Sequence, residues 1–217
     1  MAESTGKPYV IGLTGNIATG KSTVAAMLER LGACAIDADR LAHRVMCAGT
    51  RVNALIAERF GADVLTPDGE IDRRRLGAIV FADPVALRDL ERIVHPAVID
   101  ETLRCLQACD RPVAVIEAIK LLEAGMQRYC RAIWVVTSPR EVQVERLMRT
   151  RGLSEAEANL RIDAQPPQEE KVARADVVIE NTSDLEGTWV QVVRAWNDIP
   201  DAEPAPIDAT WADRQEG

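Results

Sequence analysis

The sequence predicts an α/β protein: a five-stranded parallel sheet flanked by helices, with a helical insert and a second helical excursion. Three observations predict it. Five short segments rich in β-branched or apolar residues are separated by helical patterns, the signature of βαβ units. A glycine-rich turn, Gly15-x-x-x-x-Gly20-Lys21-Ser22, falls between the first such segment and the first helix. Between the second and third strands lie about 75 residues, far more than a simple crossover needs.

The strands are expected at "YVIGLT" (9–14), "ACAID" (33–37), "VAVIEA" (113–118), "AIWVVT" (132–137) and "DVVIEN" (176–181). A single helix, "KSTVAAMLERLG", joins the first two, with Gly32 placed to end it. The insert reads as helical. "ADRLAHRVM", "TRVNALIAERF", "DRRRLGAIVF" and "PVALRDLERIV" carry apolar residues at spacings of three and four. Asp83-Pro84 has the form of an N-cap followed by proline at the first helical position. His95-Pro96 is expected to break that helix and open another through Cys105. After the fourth strand, Ser138-Pro139-Arg140-Glu141 and Ser154-Glu155-Ala156-Glu157 read as capping boxes that start two more helices. The expected organisation is a core (1–39, 111–139 and 173–198), a helical insert (40–110), a second helical excursion (140–172) and a tail (199–217). The tail is rich in proline and acids and is expected to be disordered or loosely draped.

The 217 residues, 47% of them hydrophobic, suffice for one sizeable core with an excursion or two. A net charge of −8 argues against a broad basic face for duplex nucleic acid, but not against a local phosphate site. No apolar run reaches the roughly 20 residues of a membrane span, and the N-terminus lacks a signal-peptide core, so a cytoplasmic protein is expected. The five cysteines are scattered and read as buried free thiols.

The glycine-rich turn satisfies the P-loop pattern, and its strand-then-helix context fits as well. Glycines let the backbone turn sharply and bring its N–H groups against phosphate oxygens. The expected nucleotide contacts are Gly15, Asn16, Ile17, Ala18, Thr19, Gly20, Lys21, Ser22 and Thr23. Lys21 reaches the β- and γ-phosphates, Ser22 can ligate Mg²⁺, and Thr23 lies near the α-phosphate. A GTPase would also carry an N-K-x-D segment after a late strand; here that strand ends "ENTSD". ATP is therefore the expected donor.

"AIDADRLAHRV" follows the second strand, at the sheet edge that carries the P-loop. Asp37 and Asp39, two apart, would share a face on an extended chain. Such a pair can hold Mg²⁺-bound water or take a proton from an attacking hydroxyl, and one of them can cap the following helix. Glu117, at the end of strand three, stands where a P-loop protein places a second metal-shell carboxylate. Arg146, Arg149 and Arg151 crowd a helix end before Gly152, as a lid closing over phosphates requires.

Read together, "IGLTGNIATGKSTVA", "LGACAIDADRLAH", "FGADVLTPDGEIDRRRL", "IVFADPVALRDLERIVHPAV", "WVVTSPREVQVERLMRTRGLSEAEANLRIDAQPPQEEK" and "ADVVIENTSDLE" resemble the dephospho-coenzyme A kinase family over about 190 residues. The D-A-D-x-x-A-H and V-H-P elements are more specific than the P-loop. The resemblance implies a P-loop NTPase fold with a nucleotide-binding core, an acceptor-binding insert (40–110) and a lid (140–172), and transfer of phosphate from ATP, with Mg²⁺, to the ribose 3′-hydroxyl of dephospho-CoA. It implies Asp39 as general base, with Lys21 and Arg149 on the transferring phosphoryl group. It places His43, Arg73 and His95 on the acceptor side, and Asn181 with Arg146 at the nucleotide. The metal set is Ser22, Asp37 and Glu117. One stretch departs: Lys120 stands where the family usually has proline before a Leu-Leu pair. Another P-loop small-molecule or nucleotide kinase, or a non-catalytic ATP-binding protein, stays open as an alternative. The protein is expected as a monomer or weak homo-oligomer.

Overall fold

The computed structural model describes residues 7–182, 184–200, 202–207 and 210–211. Five strands, β1 (Tyr9–Thr14), β2 (Cys34–Asp37), β3 (Val113–Glu117), β4 (Ala132–Thr137) and β5 (Val177–Glu180), form one sheet in the order β2-β3-β1-β4-β5. β1 is central. It pairs in parallel with β3 (Leu13 beside Glu117) and with β4 (Leu13 beside Trp134), and β4 pairs in parallel with β5. Strands buried on both faces need apolar side chains throughout, and Ile11, Leu13, Val113 to Ile116 and Trp134 to Val136 are buried accordingly.

The chain divides into two compact units, Asp37–Ala108 and the remainder. In the sheet unit, α1 (Lys21–Arg30) and α9 (Leu185–Asn197) pack on one another and against the sheet. Their core holds Met27, Leu28, Trp189, Val192 and Trp196. The helices α6 (Arg140–Arg151), α7 (Glu155–Asp163) and α8 (Gln168–Val172) belong to this same unit. The Ser154 capping box forms as expected. The Ser138 box does not: α6 starts behind Pro139 with no side-chain cap, and the Ser138 hydroxyl is spent elsewhere.

The other unit holds α2 (Ala38–Val45), α3 (Arg51–Phe60), α4 (Arg73–Ala82) and α5 (Pro84–Gln107). Asp83 caps α5, accepting from the Val85 N–H at 2.8 Å. The expected break at His95-Pro96 is absent, and α5 runs unbroken through Pro96. Proline removes one backbone donor and costs about 3 kcal/mol in a helix interior. Packing on both sides of it opposes that cost: α5 contacts α2, α3 and α4, and buries Ala86, Val94 and Val98.

The thiols are less buried than expected: Cys47 is exposed and the other four are half-buried, none of them in a disulfide. Burial pushes the Cys130 thiol up to about 12.

The described part of the tail is docked rather than loose. Trp196 Nε1 donates to the Glu203 carbonyl (2.8 Å), and the Asn197 side chain exchanges two hydrogen bonds with the Ala205 backbone. Trp211 is 8% exposed. Its ring lies 5.4 Å from that of Trp189, beneath the Arg30 guanidinium at 4.3 Å, and its backbone N–H donates to Glu186 Oε2. A tryptophan buries enough area to offset the ordering of a polar segment. The rest of the tail lies outside the described residues. Trp211→Ala is expected to cost about 3 kcal/mol of unfolding free energy in a urea titration. A loss below about 0.5 kcal/mol would mean the docking contributes nothing.

Candidate active site

The phosphate loop lies between β1 and α1. Gly15 and Gly20 are required by space. A Cβ at Gly15 would fall 2.3 Å from the Val136 carbonyl oxygen, and one at Gly20 1.9 Å from Asn181 Nδ2. Gly20 also has φ +88°, and Ala18, at φ 58°, is the one non-glycine residue in the left-handed region among those described.

The loop's carbonyls are held from outside. The Thr19 carbonyl accepts from Asn181 Nδ2 (2.8 Å) and Arg146 Nη1 (3.2 Å). The Ala18 carbonyl accepts from Arg146 Nη1 (3.2 Å). In a planar trans peptide the N–H points opposite to the C=O. Pinning the Thr19 carbonyl outward therefore turns the Gly20 N–H inward. The first-turn N–H groups of a helix lack partners within it, so α1 adds its own donors and the positive end of its dipole. The result is a concave set of donors suited to an anion. Lys21, the first residue of α1, is buried; Ser22 is exposed and Thr23 half-buried.

Arg146 is the hub of this arrangement. Besides the two loop carbonyls it donates to Ser138 Oγ (2.9 Å), Asn181 Oδ1 (3.3 Å) and the Thr182 carbonyl. Burial, and after it the charge of Arg149, lower its pKa from the ordinary value. Arg149 itself is exposed, one turn further along α6, and pairs with Glu145 at 3.7 Å. Asn181 is buried just past β5, where Thr188 Oγ1 donates to its Oδ1 (3.3 Å).

At the end of β3, Glu117 is half-buried and lies beside Leu13 in register. The turn after it is tied back to β1, because the Ile119 carbonyl accepts from Thr14 Oγ1 (3.2 Å) and from Lys171 Nζ (2.7 Å). Lys120 is exposed on this turn. A cleft of about 740 Å³ opens beside the loop, lined by Asn16, Ser138, Arg140, Gln143, Gln165 and Thr182 among others.

In the helical unit, Asp37 is the N-cap of α2, accepting from the Arg40 N–H at 2.8 Å. Asp39 is half-buried in the first turn of α2. The extended pairing expected of the two aspartates is therefore lost, because the helix begins at Ala38. His43 and Arg73 are exposed on α2 and α4, and His95 is half-buried on α5, the helix that packs on both.

Three contributors escaped the sequence reading: Ser138, Gln165 and Lys171. Ser138 has the form of a cap, yet its hydroxyl donates to the Asn181 carbonyl. Gln165 accepts from a loop N–H, and Lys171 has the form of a solvated helix cation but is 3% exposed. Only an unusual "QPP" turn in the sequence marks the second of these.

The family profile described as dephospho-CoA kinase matches residues 9–187. A dephospho-CoA kinase of Anaeromyxobacter dehalogenans is 54% identical over 176 residues, covering 79% of this chain and 83% of that protein. A Thermus thermophilus crystal structure superposes with a TM-score of 0.77 at 36% identity, covering 88% of this chain and 96% of that one. The dephospho-CoA kinase structure from Campylobacter jejuni gives 0.62 at 30% identity, covering 87% and 95%. The match spans the phosphate loop, the helical unit and the Arg146–Asn181 network together, and the chain belongs to the dephospho-CoA kinase family.

Proposed function

We propose that the chain transfers the γ-phosphoryl group of ATP to the ribose 3′-hydroxyl of dephospho-CoA, giving coenzyme A and ADP. The observation that carries this is the phosphate loop, whose carbonyls are pinned outward by Arg146 and Asn181 within the chain itself. Preorganised donors cost no reorganisation when charge develops on the transferred group. The 3′-oxygen attacks the γ-phosphorus as the bond to the bridging oxygen breaks. ADP leaves with the electron pair, and the hydroxyl proton passes to Asp39. Lys21 and Arg149 neutralise the transferring oxygens. The loop Gly15 to Thr23, with Arg146 and Asn181, holds the nucleotide, the Ile17 N–H excepted, which is bonded to Gln165. His43, Arg73 and His95 hold the acceptor, supported by their places on α2, α4 and α5.

Mg²⁺ takes oxygen donors and keeps several waters, so a hydroxyl and one or two carboxylates suffice beside substrate phosphates. Ser22 and Glu117 suit that donor set. Asp37 would serve through water while it caps α2. Among the described residues no cluster of three His, Cys, Asp or Glu competes as a metal site. Bound there, the ion would be held by Ser22 and Glu117 and would supply positive charge to offset that of the substrate phosphates.

Coupled ADP release, with and without dephospho-CoA, tests the proposal. ADP formation should depend on dephospho-CoA, with coenzyme A appearing in equal amount. ADP formation that is independent of this acceptor, or equal with nucleosides, overturns it. No helix among the described residues is long and apolar enough to cross a membrane. The proposed setting is the cytoplasm, with the chain acting as a monomer or weak homo-oligomer. Residues 140–172 are proposed to act as a lid that keeps water from the γ-phosphate. Hydrogen exchange across 140–172 should slow when an ATP analogue and acceptor are added together; unchanged protection would remove the lid.

A further inference from the structure

One peptide of the phosphate loop is bonded at both ends. The carbonyl of Asn16 accepts from Thr19 Oγ1 (2.9 Å), and the N–H of the same peptide, that of Ile17, donates to Gln165 Oε1 (2.6 Å). Alongside it, Asn16 Nδ2 donates to the Pro166 carbonyl (3.0 Å). Gln165 and Pro166 belong to the turn between α7 and α8, about 150 residues away in the chain. That turn is stiff, because two successive prolines fix φ at 166 and 167. Its far end is anchored as well: Lys171, buried on α8, donates to the Ile119 carbonyl, which also accepts from Thr14 at the foot of the loop.

A loop that binds phosphate by convergent N–H groups must keep each peptide plane in one orientation. The inward planes are fixed by Arg146 and Asn181 on the carbonyl side. The Asn16–Ile17 plane faces the other way, and its N–H is withdrawn from the phosphate and spent on Gln165. Without that acceptor the plane is held at its carbonyl alone. The loop would then be ordered only on meeting the nucleotide, at the expense of affinity.

We infer that Gln165 is a positioning residue for phosphoryl transfer: it fixes the Asn16–Ile17 peptide and so holds the phosphate loop in its binding shape before ATP arrives. This rests on the kinase function proposed above. It also means that the segment closing the α6–α7 excursion and the phosphate loop are joined by direct bonds, so that displacing one disturbs the other.

The test uses Gln165→Met, which keeps length but has no oxygen acceptor, and Gln165→Glu, which keeps an acceptor at the same reach. Exchange of the Ile17 amide is followed by NMR in the nucleotide-free protein, and KM for each substrate by steady-state kinetics. Gln165→Met should speed Ile17 exchange about fivefold or more, the loss of one hydrogen bond, while Ile11 and Leu13 in β1 stay protected. KM for ATP should rise about tenfold and that for dephospho-CoA by less than about twofold. Gln165→Glu should restore Ile17 protection. Unchanged Ile17 exchange in Gln165→Met overturns the inference, as does an equal rise in both KM values with a lowered Tm, the mark of a merely structural role. The exchange readout needs no turnover, so failure of the kinase assignment leaves it standing and is recognised separately in the acceptor assay.

Discussion

Lys21→Ala is expected to lower the rate of ADP formation with dephospho-CoA by about 10³-fold or more. Lys21 is the first residue of α1, directly after the glycine whose N–H is turned into the loop, and it is buried. A point charge in a partly dry site is worth far more to a developing phosphoryl charge than the same ammonium in water. Alanine removes both the charge and the stem, so Lys21→Met is the companion variant: it keeps the apolar stem and loses only the ammonium. Both should lose turnover alike and keep the Tm within a few degrees. If Lys21→Met turns over within about tenfold of wild type, the phosphate loop is not the site of transfer.

Asp39→Asn is expected to cut turnover by roughly 10²–10⁴-fold with ATP affinity nearly unchanged. Asparagine keeps the size and one acceptor oxygen but cannot take up the hydroxyl proton. Asp37 supplies the control. It caps α2, and asparagine caps a helix about as well as aspartate. Asp37→Asn should therefore leave stability alone and at most raise the Mg²⁺ needed for half-maximal rate. Asp37→Ala should in addition cost about 1 kcal/mol of stability. Turnover, ATP affinity and Mg²⁺ dependence measured on all three variants separate the roles. Should Asp39→Asn keep turnover within a few-fold while Asp37→Asn loses it, the base is the wrong aspartate.

What could be read from sequence were the features whose causes are local. The phosphate loop declares itself in eight consecutive residues, because glycines at fixed spacing are what that turn needs. The strands declare themselves because burial on both faces demands unbroken apolar runs, and their predicted ends fall within a residue of those observed. What could not be read depends on distant partners. Pro96 looks like a helix break until α2, α3 and α4 are there to hold α5 together. Ser138 looks like a cap until Asn181 and Arg146 are brought beside it. Gln165 is marked locally only by the two prolines after it, and they do not show its partner, a backbone N–H that any residue but proline at position 17 would supply. Among the arginines of α6, spacing could not tell Arg146, bound to the loop's carbonyls, from Arg149 in solvent.

The order in which the sheet and tail are assembled has a consequence during synthesis. β1 leaves the ribosome early, but both of its sheet partners, β3 and β4, are made only after residue 112. At roughly 5–20 residues per second, the nascent β1 and α1 wait on the order of ten seconds with their apolar faces uncovered. The helical unit, by contrast, is contiguous from 37 to 108 and has all its own contacts at hand before β3 exists. Trp211, which packs against Trp189 and Arg30, is made only after all five strands. Translation thus delivers β1 and the phosphate loop well before the strands that flank them, so a ribosome stalled anywhere before β4 leaves a hydrophobic strand exposed to chaperones and proteases.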